Sequence, residues 1–204
     1  MNYLSSFGLQ SALIDHLDPA IRLADTKTCI DAANECLKCI PATPFHIVSD
    51  MDFTNDPKTV AANFDHCFSE ERNRGTNFKS VYTQTNGFPH NADQWYFSWF
   101  AYDYTTDVFD FEYLGFGWES QEYDSIVLSG MEELQAVYDD TDANWIDQNE
   151  FAMSACECMV IFKFADLIQR VTREMKHFDV PMVASSHDTG IQFQFKPPVN
   201  PRRQ

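Results

Sequence analysis

Two stretches decide the fold class: Lys79-Ser80-Val81-Tyr82-Thr83-Gln84-Thr85 and Gln94-Trp95-Tyr96-Phe97-Ser98-Trp99-Phe100-Ala101-Tyr102-Asp103-Tyr104. Both are rich in Val, Thr, Tyr, Phe and Trp, which suit a pleated, half-buried surface, and Asn86-Gly87 marks a turn after the first. In the second, Trp95, Phe97 and Trp99 alternate with Tyr96, Ser98, Phe100 and Tyr102. Successive strand residues point to opposite sides, so both faces are bulky and one of them must meet helices. A third stretch, Val108–Leu114, follows a turn candidate at Thr105-Thr106 and sets Asp110 and Glu112 opposite Phe109, Phe111 and Tyr113. Together the three predict a central antiparallel β-meander with an acidic side.

Helical patterning flanks the meander. Leu9, Leu13 and Leu17 form one stripe, and Asp18-Pro19 predicts a fresh helix start that carries Ile21, Ala24, Ile30, Ala33 and Leu37. Phe45-His46-Ile47-Val48 reads as a short strand, and Asp56-Pro57 opens a third helix through Val60, Phe64 and Phe68 to about Gly75. Beyond the meander, Gly115-Phe116-Gly117-Trp118 reads as a loop and Ser125–Leu128 as a short strand. Met131, Leu134 and Val137 predict a helix, and Asp139, Asp140 and Asp142 a solvated loop. From about Asn149 to His177 the chain is apolar almost all round, the pattern of a helix buried in the middle of a fold or in an oligomer interface. Val180–Ser185 and Gly190–Phe195 read as closing strands around a turn at His187-Asp188-Thr189, and residues 197–204 as a flexible tail. Helices before and after a run of strands, with no linker between, give a single α+β domain over residues 1–204, the long helix buried in its C-terminal half.

Charge is distributed unevenly. Between Ser80 and Phe162 there is no lysine or arginine but there are sixteen carboxylates, from Asp93 to Glu157. Outside that stretch 15 acids meet 14 bases, so nearly all of the net charge of −17 lies within it. Such a surface opposes phosphate backbones and anionic membranes and favours a basic macromolecule. The acids stand among Trp, Tyr and Phe, which argues for decoration of a folded surface rather than a disordered tail. The opening MNYLSSFGLQSALIDHL (residues 1–17) has neither a basic n-region nor a sustained apolar h-region, and Glu157, Lys163 and Asp166 interrupt the most apolar segment, so a soluble cytoplasmic protein without a membrane span is expected.

Six cysteines, at 29, 36, 39, 67, 156 and 158, are too sparse for a disulfide scaffold in a chain of 204 residues. Zinc held by Cys36, Cys39, Cys67 and His66 is one reading; buried core thiols are the better one, because the second pair lacks the usual ligand gap. Cys156 and Cys158 should point to different sides of a helix. His187-Asp188 has the residue types of a general base with its orienter, yet a polar turn accounts for it more simply.

The sharpest local pattern is Phe45-His46-Ile47-Val48-Ser49-Asp50-Met51-Asp52-Phe53-Thr54, an apolar run followed by D-x-D-x-T. It resembles the first motif of haloacid-dehalogenase-like phosphatases. The resemblance implies Asp50 as the phosphoryl-accepting nucleophile, Asp52 as general acid/base, and magnesium between them; Ser129 would supply the second motif, Lys163 or Lys176 the third and Asp188 the fourth. Asp52 and Asp56 serve equally as turn and cap residues.

In size, acidity and lack of a catalytic motif the chain resembles the immunity proteins and antitoxins of bacterial toxin systems, with a nucleic-acid-mimicking inhibitor as a close variant. The expected function is therefore non-enzymatic, without metal or cofactor: neutralisation of a basic partner protein through Asp103, Asp107, Asp110, Glu112, Trp118, Glu119, Glu122 and Asp124. The acids would set the rate of association and Trp118 would be a buried anchor. The alternatives are the magnesium-dependent phosphatase and an oligomeric scaffold subunit assembled on the long helix.

Overall fold

The structure is a computed structural model and describes residues 6–87, 93–103, 118–119, 125–140, 143–187 and 189–198. Among the described residues, five α-helices, one 3-10 helix and six strands follow one another as α1 (Ser6–Arg22), α2 (Thr26–Lys38), η1 (Pro44–Asp50), α3 (Pro57–Asn73), β1 (Ser80–Thr85), β2 (Tyr96–Tyr102), β3 (Trp118–Glu119), β4 (Ile126–Val127), α4 (Glu132–Asp139), α5 (Ala143–Glu174), β5 (Met182–Ser186) and β6 (Gln192–Phe195). The fold is α+β. The sheet runs β3-β2-β1-β5-β6, with β4 also paired to β2.

β1, β2 and β3 form the meander: β1 pairs antiparallel with β2, Val81 opposite Ala101 and Thr85 opposite Phe97, and β3 continues antiparallel on β2. β5 enters beside β1 in parallel, with Val81 beside Met182, and β6 returns antiparallel to β5, so the whole sheet is mixed. The expected strand Val108–Leu114 and the turn at Thr105-Thr106 lie outside the described residues. Trp118, expected in a loop, instead lies in β3 opposite Ala101.

One sheet face meets the helices, as the bulk of β2 requires. Phe97 and Trp99 pack on Phe64 of α3, with centroids 6.2 Å apart in each case, and Phe97 lies 5.3 Å from Phe164 of α5. Val81, Met182, Ala184 and Phe193 complete that side of the core. The opposite face holds a smaller buried cluster of Tyr82, Tyr102 and Val183 with Phe100 against it. α5 is the axis of the helical layer and contacts α1, α2, α3, η1, β5 and β6. Its residues from Ser154 to Ala165 are buried except for half-buried Glu157, so its all-round apolarity is satisfied within the fold. It starts six residues before the predicted Asn149 and ends at Glu174, three short of His177.

Two further departures from the sequence reading have identifiable reasons. α1 does not stop at Asp18-Pro19: the stripe Leu13, Leu17 and Ile21 stays buried through it, and Asp18 pairs with Arg22 at 2.8 Å instead of capping a helix. The helix ends one turn later, where Asp25 N–H donates to the Ala20 carbonyl and Ala24 N–H to that of Ile21, with Ala24 at φ 52°. This is the left-handed helix stop that glycine usually fills. Asp25 then caps α2 by accepting from the Thr28 N–H. The second correction is η1, where a strand was expected. Pro44 opens it, and Phe45 and Val48, three apart, are its buried residues. A strand would have buried Phe45 with Ile47, whereas a three-residue period is that of a 3-10 turn. Thr43 N–H donates to His46 Nδ1, which leaves the proton on Nε2 to donate to the Leu37 carbonyl at 3.0 Å.

α3 begins as its sequence predicts. Asp56 accepts from the Thr59 N–H and hydroxyl, Pro57 occupies the first turn, and Val60, Phe64 and Phe68 are buried. It ends at Asn73 with Arg74 as its cap, and Gly75 follows at φ 88°.

Candidate functional site

The described acids of the one-signed stretch stand beside β2, in β3, on α4 and in the first half of α5. Asp103 leaves the end of β2 and is exposed, as are Asp93 before the strand and Glu132, Glu133, Asp139 and Asp140 on and after α4. Asp139 closes α4 and Asp140 caps it, where a loop was expected. Glu119 pairs with Phe100 in β3, next to Trp118. Asp107, Asp110, Glu112, Glu122, Asp124 and Asp142 lie outside the described residues. Among the described residues, the ion pairs draw on acids outside 93–157, such as Asp18 with Arg22, Asp166 with Arg170 and Asp179 with Arg72. Asp93, Asp103, Glu132, Glu133, Asp139, Asp140 and Glu150 of the one-signed stretch have no such partner among the described residues. Glu157 is the inward exception: burial against the apolar helices pushes its carboxyl up from 4.5 to about 7.

The D-x-D-x-T segment meets two of the residues assigned to it by resemblance. Thr54 N–H donates to the Ser129 carbonyl at 2.9 Å, and Thr54 Oγ1 donates to Ser129 Oγ at 3.2 Å. Asn55 completes a two-way clasp: its Nδ2 donates to the Val127 carbonyl at 2.8 Å and its Oδ1 accepts from Ser129 N–H at 3.0 Å. Lys163, reaching up from buried α5, donates to the carbonyls of Val48, at 2.8 Å, and Met51. Burial pushes its ammonium down from the ordinary lysine value, while Asp52 and Asp50 pull it back up. Arg170 stands 3.6 Å from Asp52.

These contacts explain the segment structurally. A 3-10 helix ends with unpaired carbonyls, and a buried ammonium is a compact way to satisfy two of them. Gly130 completes the fit: a Cβ there would lie 2.3 Å from the Asp52 carbonyl oxygen and 2.9 Å from Thr54 N, so the clasp closes only over a bare backbone, at φ 99°. Asp50 and Asp52 are exposed, and Asp52 Oδ1 accepts from the Phe53 N–H at 2.8 Å, a turn contact. Among the described residues no group of three or more His, Cys, Asp or Glu is arranged to hold a metal ion. Lys176 is remote from this cluster in the fold, on a pocket formed with β6, and Asp188 lies outside the described residues.

The cysteines are free thiols. Cys29 and Cys67 are buried, Cys36 half-buried and Cys39 exposed, and Cys67 donates to Asn63 Oδ1 at 3.4 Å. Cys156 accepts from Tyr138 Oη at 3.7 Å, and Cys156 and Cys158 are both buried on α5. Burial pushes the Cys29 and Cys158 thiols up to about 12 and that of Cys67 to about 11, which keeps them protonated and unreactive at neutral pH. His187 is exposed at the end of β5, and the adjacent Thr189 Oγ1 donates to the Ser186 carbonyl at 3.1 Å, a turn contact.

Sequence reasoning missed Asn55, Gly130 and Arg170. An Asn directly after D-x-D-x-T and a Gly before a helix were the available signals, but neither identifies its partner some seventy-five residues away. No helix of the described residues is long and apolar enough to cross a membrane. Comparison with models of known protein families, with curated proteins and with solved structures returns no match.

Proposed function

We propose that this chain is a non-enzymatic acidic binding protein that fills the basic site of a partner protein, as toxin immunity proteins, antitoxins and nucleic-acid-mimicking inhibitors do. One observation carries the reading: the exposed acids described between 93 and 157 have no ion pair among the described residues, while seven acids outside that stretch, Asp18, Asp31, Glu35, Asp52, Glu71, Asp166 and Asp179, are each paired with a Lys or Arg. Surfaces normally intersperse the two signs, because same-sign crowding opposes the compact state. Countercharge supplied by a partner relieves that repulsion, and the acids steer the encounter. The binding surface is centred on Asp103, Asp107, Asp110, Glu112, Trp118, Glu119, Glu122 and Asp124.

The test is capture on the immobilised chain from its native lysate at low and high salt, followed by kinetics with the captured protein. A basic partner should be held at low salt and released as ionic strength rises. Reversal of Asp103, Asp110 and Glu112 to Lys should slow association, and Trp118→Ala should speed dissociation, with a loss of about 2 kcal/mol or more for a buried anchor. Capture of neutral proteins alone, or reversal variants that bind as the unaltered chain does, would refute the reading.

The phosphatase reading draws on one observation, the approach of Thr54, Ser129 and Lys163 to Asp52. Against it, the nucleophile's strand is replaced by η1, and Lys163 is committed to two backbone carbonyls. The scaffold reading finds less support, since α5 is buried by its own chain from Ser154 to Ala165 apart from half-buried Glu157, although Phe151 is exposed.

A further inference from the structure

At the sheet edge opposite the acids, a cavity of about 710 Å³ opens between the ends of α1 and α5 and strand β6. That size lies within the roughly 300–1,000 Å³ range of small-molecule sites. Four of the chain's 14 lysines and arginines line it, Arg22, Arg173, Lys176 and Lys196, and no carboxylate does among the described residues. In a chain of net charge −17 this is a marked local inversion. Its other wall is apolar: Phe195 and Met175 are buried, Phe178 is half-buried, and Leu23 stands at the rim with 81% of its surface exposed.

The geometry points to a binding site for an amphiphilic organic anion, an acyl or aryl body ending in a carboxylate or phosphate. α5 presents Gln169, Thr172 and Arg173 to the cavity, the i, i+3, i+4 stripe of one helix face, and Lys176 follows in the turn after the helix. Arg173 is steadied by Gln169 Oε1 at 2.9 Å. Lys176 and Lys196 have no side-chain partner among the described residues and remain available to a ligand. Arg22 shares its charge with Asp18 at 2.8 Å. Two helix C-termini also face this region, each worth roughly half a negative charge. Even with Asp18, both dipoles and Asp65, whose carboxylate accepts from the Lys176 N–H at 2.9 Å, set against four cations, the balance stays positive. The simplest alternative, cations placed only to suit helix ends, accounts for Arg22 and Arg173 but not for Lys196, which follows a strand, nor for the exposed Leu23.

The experiment is calorimetric titration of the intact chain with octanoate, octyl phosphate, octyl glucoside and inorganic phosphate. The first two differ in head group, octyl glucoside keeps the apolar body without charge, and phosphate keeps charge without the body. Saturable binding of one equivalent of octanoate or octyl phosphate is expected, with both controls at least tenfold weaker; the tighter of the two identifies the head. Lys176→Glu with Lys196→Glu should weaken it at least tenfold, Leu23→Ser several-fold, and the same charge change at Lys58 and Lys79 should leave it intact. Absence of saturable binding, equal binding of octyl glucoside, or equal loss in the Lys58/Lys79 variant would overturn the assignment. None of these outcomes depends on the acidic edge or its partner.

Discussion

Gly130→Ala tests whether the D-x-D-x-T segment is a structural clasp. Gly130 sits at φ 99°, which an L side chain rarely adopts, and the added methyl would meet the Asp52 carbonyl at 2.3 Å, Thr54 Cγ2 at 2.8 Å and Thr54 N at 2.9 Å. The left-handed backbone alone costs about 1–2 kcal/mol for alanine. Relief of the clash must move backbone, because two of the three atoms belong to it. That displacement breaks the Thr54–Ser129 backbone bond and disturbs the Asn55 pair, each worth about 1 kcal/mol net. A total loss of about 3–5 kcal/mol is expected. Gly75→Ala is the internal control: Gly75 has φ 88° but nothing within 4 Å of a new Cβ, so it carries the backbone term without the clash. Urea denaturation followed by far-ultraviolet circular dichroism should place the Gly130 variant roughly 2–3 kcal/mol below the Gly75 variant. Equal losses would show that the 129–130 segment yields freely and that the clasp does not hold the loop.

Three other outcomes are expected. Glu157→Gln should change the pH dependence of stability: the folded chain holds a proton up to about 7 that the unfolded chain releases near 4.5, so stability declines as pH rises through that window. The decline is roughly 3 kcal/mol, and denaturation at pH 5 and pH 8 should show the variant matching the unaltered chain at the first and exceeding it at the second. Lys163→Met strands the Met51 carbonyl and leaves that of Val48 with only the Met51 N–H at 3.4 Å, and should cost about 2 kcal/mol in the same urea assay; no loss would mean that water replaces the ammonium without penalty. Asp50→Asn should leave stability within about 0.5 kcal/mol, as for other exposed polar changes, and magnesium-dependent hydrolysis of a generic phosphomonoester should be absent from both proteins; turnover abolished by the substitution would restore the phosphatase reading.

Legibility in the sequence followed the range of the interaction responsible. α3 was readable because Asp56, Pro57 and the Val60–Phe64–Phe68 stripe are local signals, and β1 and β2 because alternating aromatics leave few alternatives. η1 was misread because Phe45, Ile47 and Val48 have strand propensity, while its true shape depends on Lys163, more than a hundred residues away, satisfying its last carbonyls. Pro19 suggested a helix start because its usual penalty inside a helix is large, yet the buried Leu17 and Ile21 outweigh it. The parallel neighbour of β1 was invisible, since nothing in Met182–Ser186 names its partner. The acidic surface was legible as composition alone. The basic cavity was not legible, because residues 22–24, 169–178 and 194–198 converge only in the folded chain.

The two charged regions are held apart by the same element that forms the core. Within α5, Asp147, Glu150 and Glu157 occupy the half before Lys163, whereas Arg170 and Arg173 stand near its end. Arg170 and Arg173 suit the helix macrodipole, which favours cations near the C-terminus, and they stand there with Asp166 and Glu174. The sheet carries the separation sideways: from β2 to β6 the order crosses β1 and β5, roughly 14 Å at the usual strand spacing. That exceeds the Debye length of about 8 Å at physiological salt, so each region presents its own sign to an approaching molecule. Rising salt should therefore separate the two proposed activities. Association at the acidic edge rests on steering by unpaired charge and should fall steeply, whereas an amphiphile in the cavity keeps its apolar contacts and should lose only the contribution of its head.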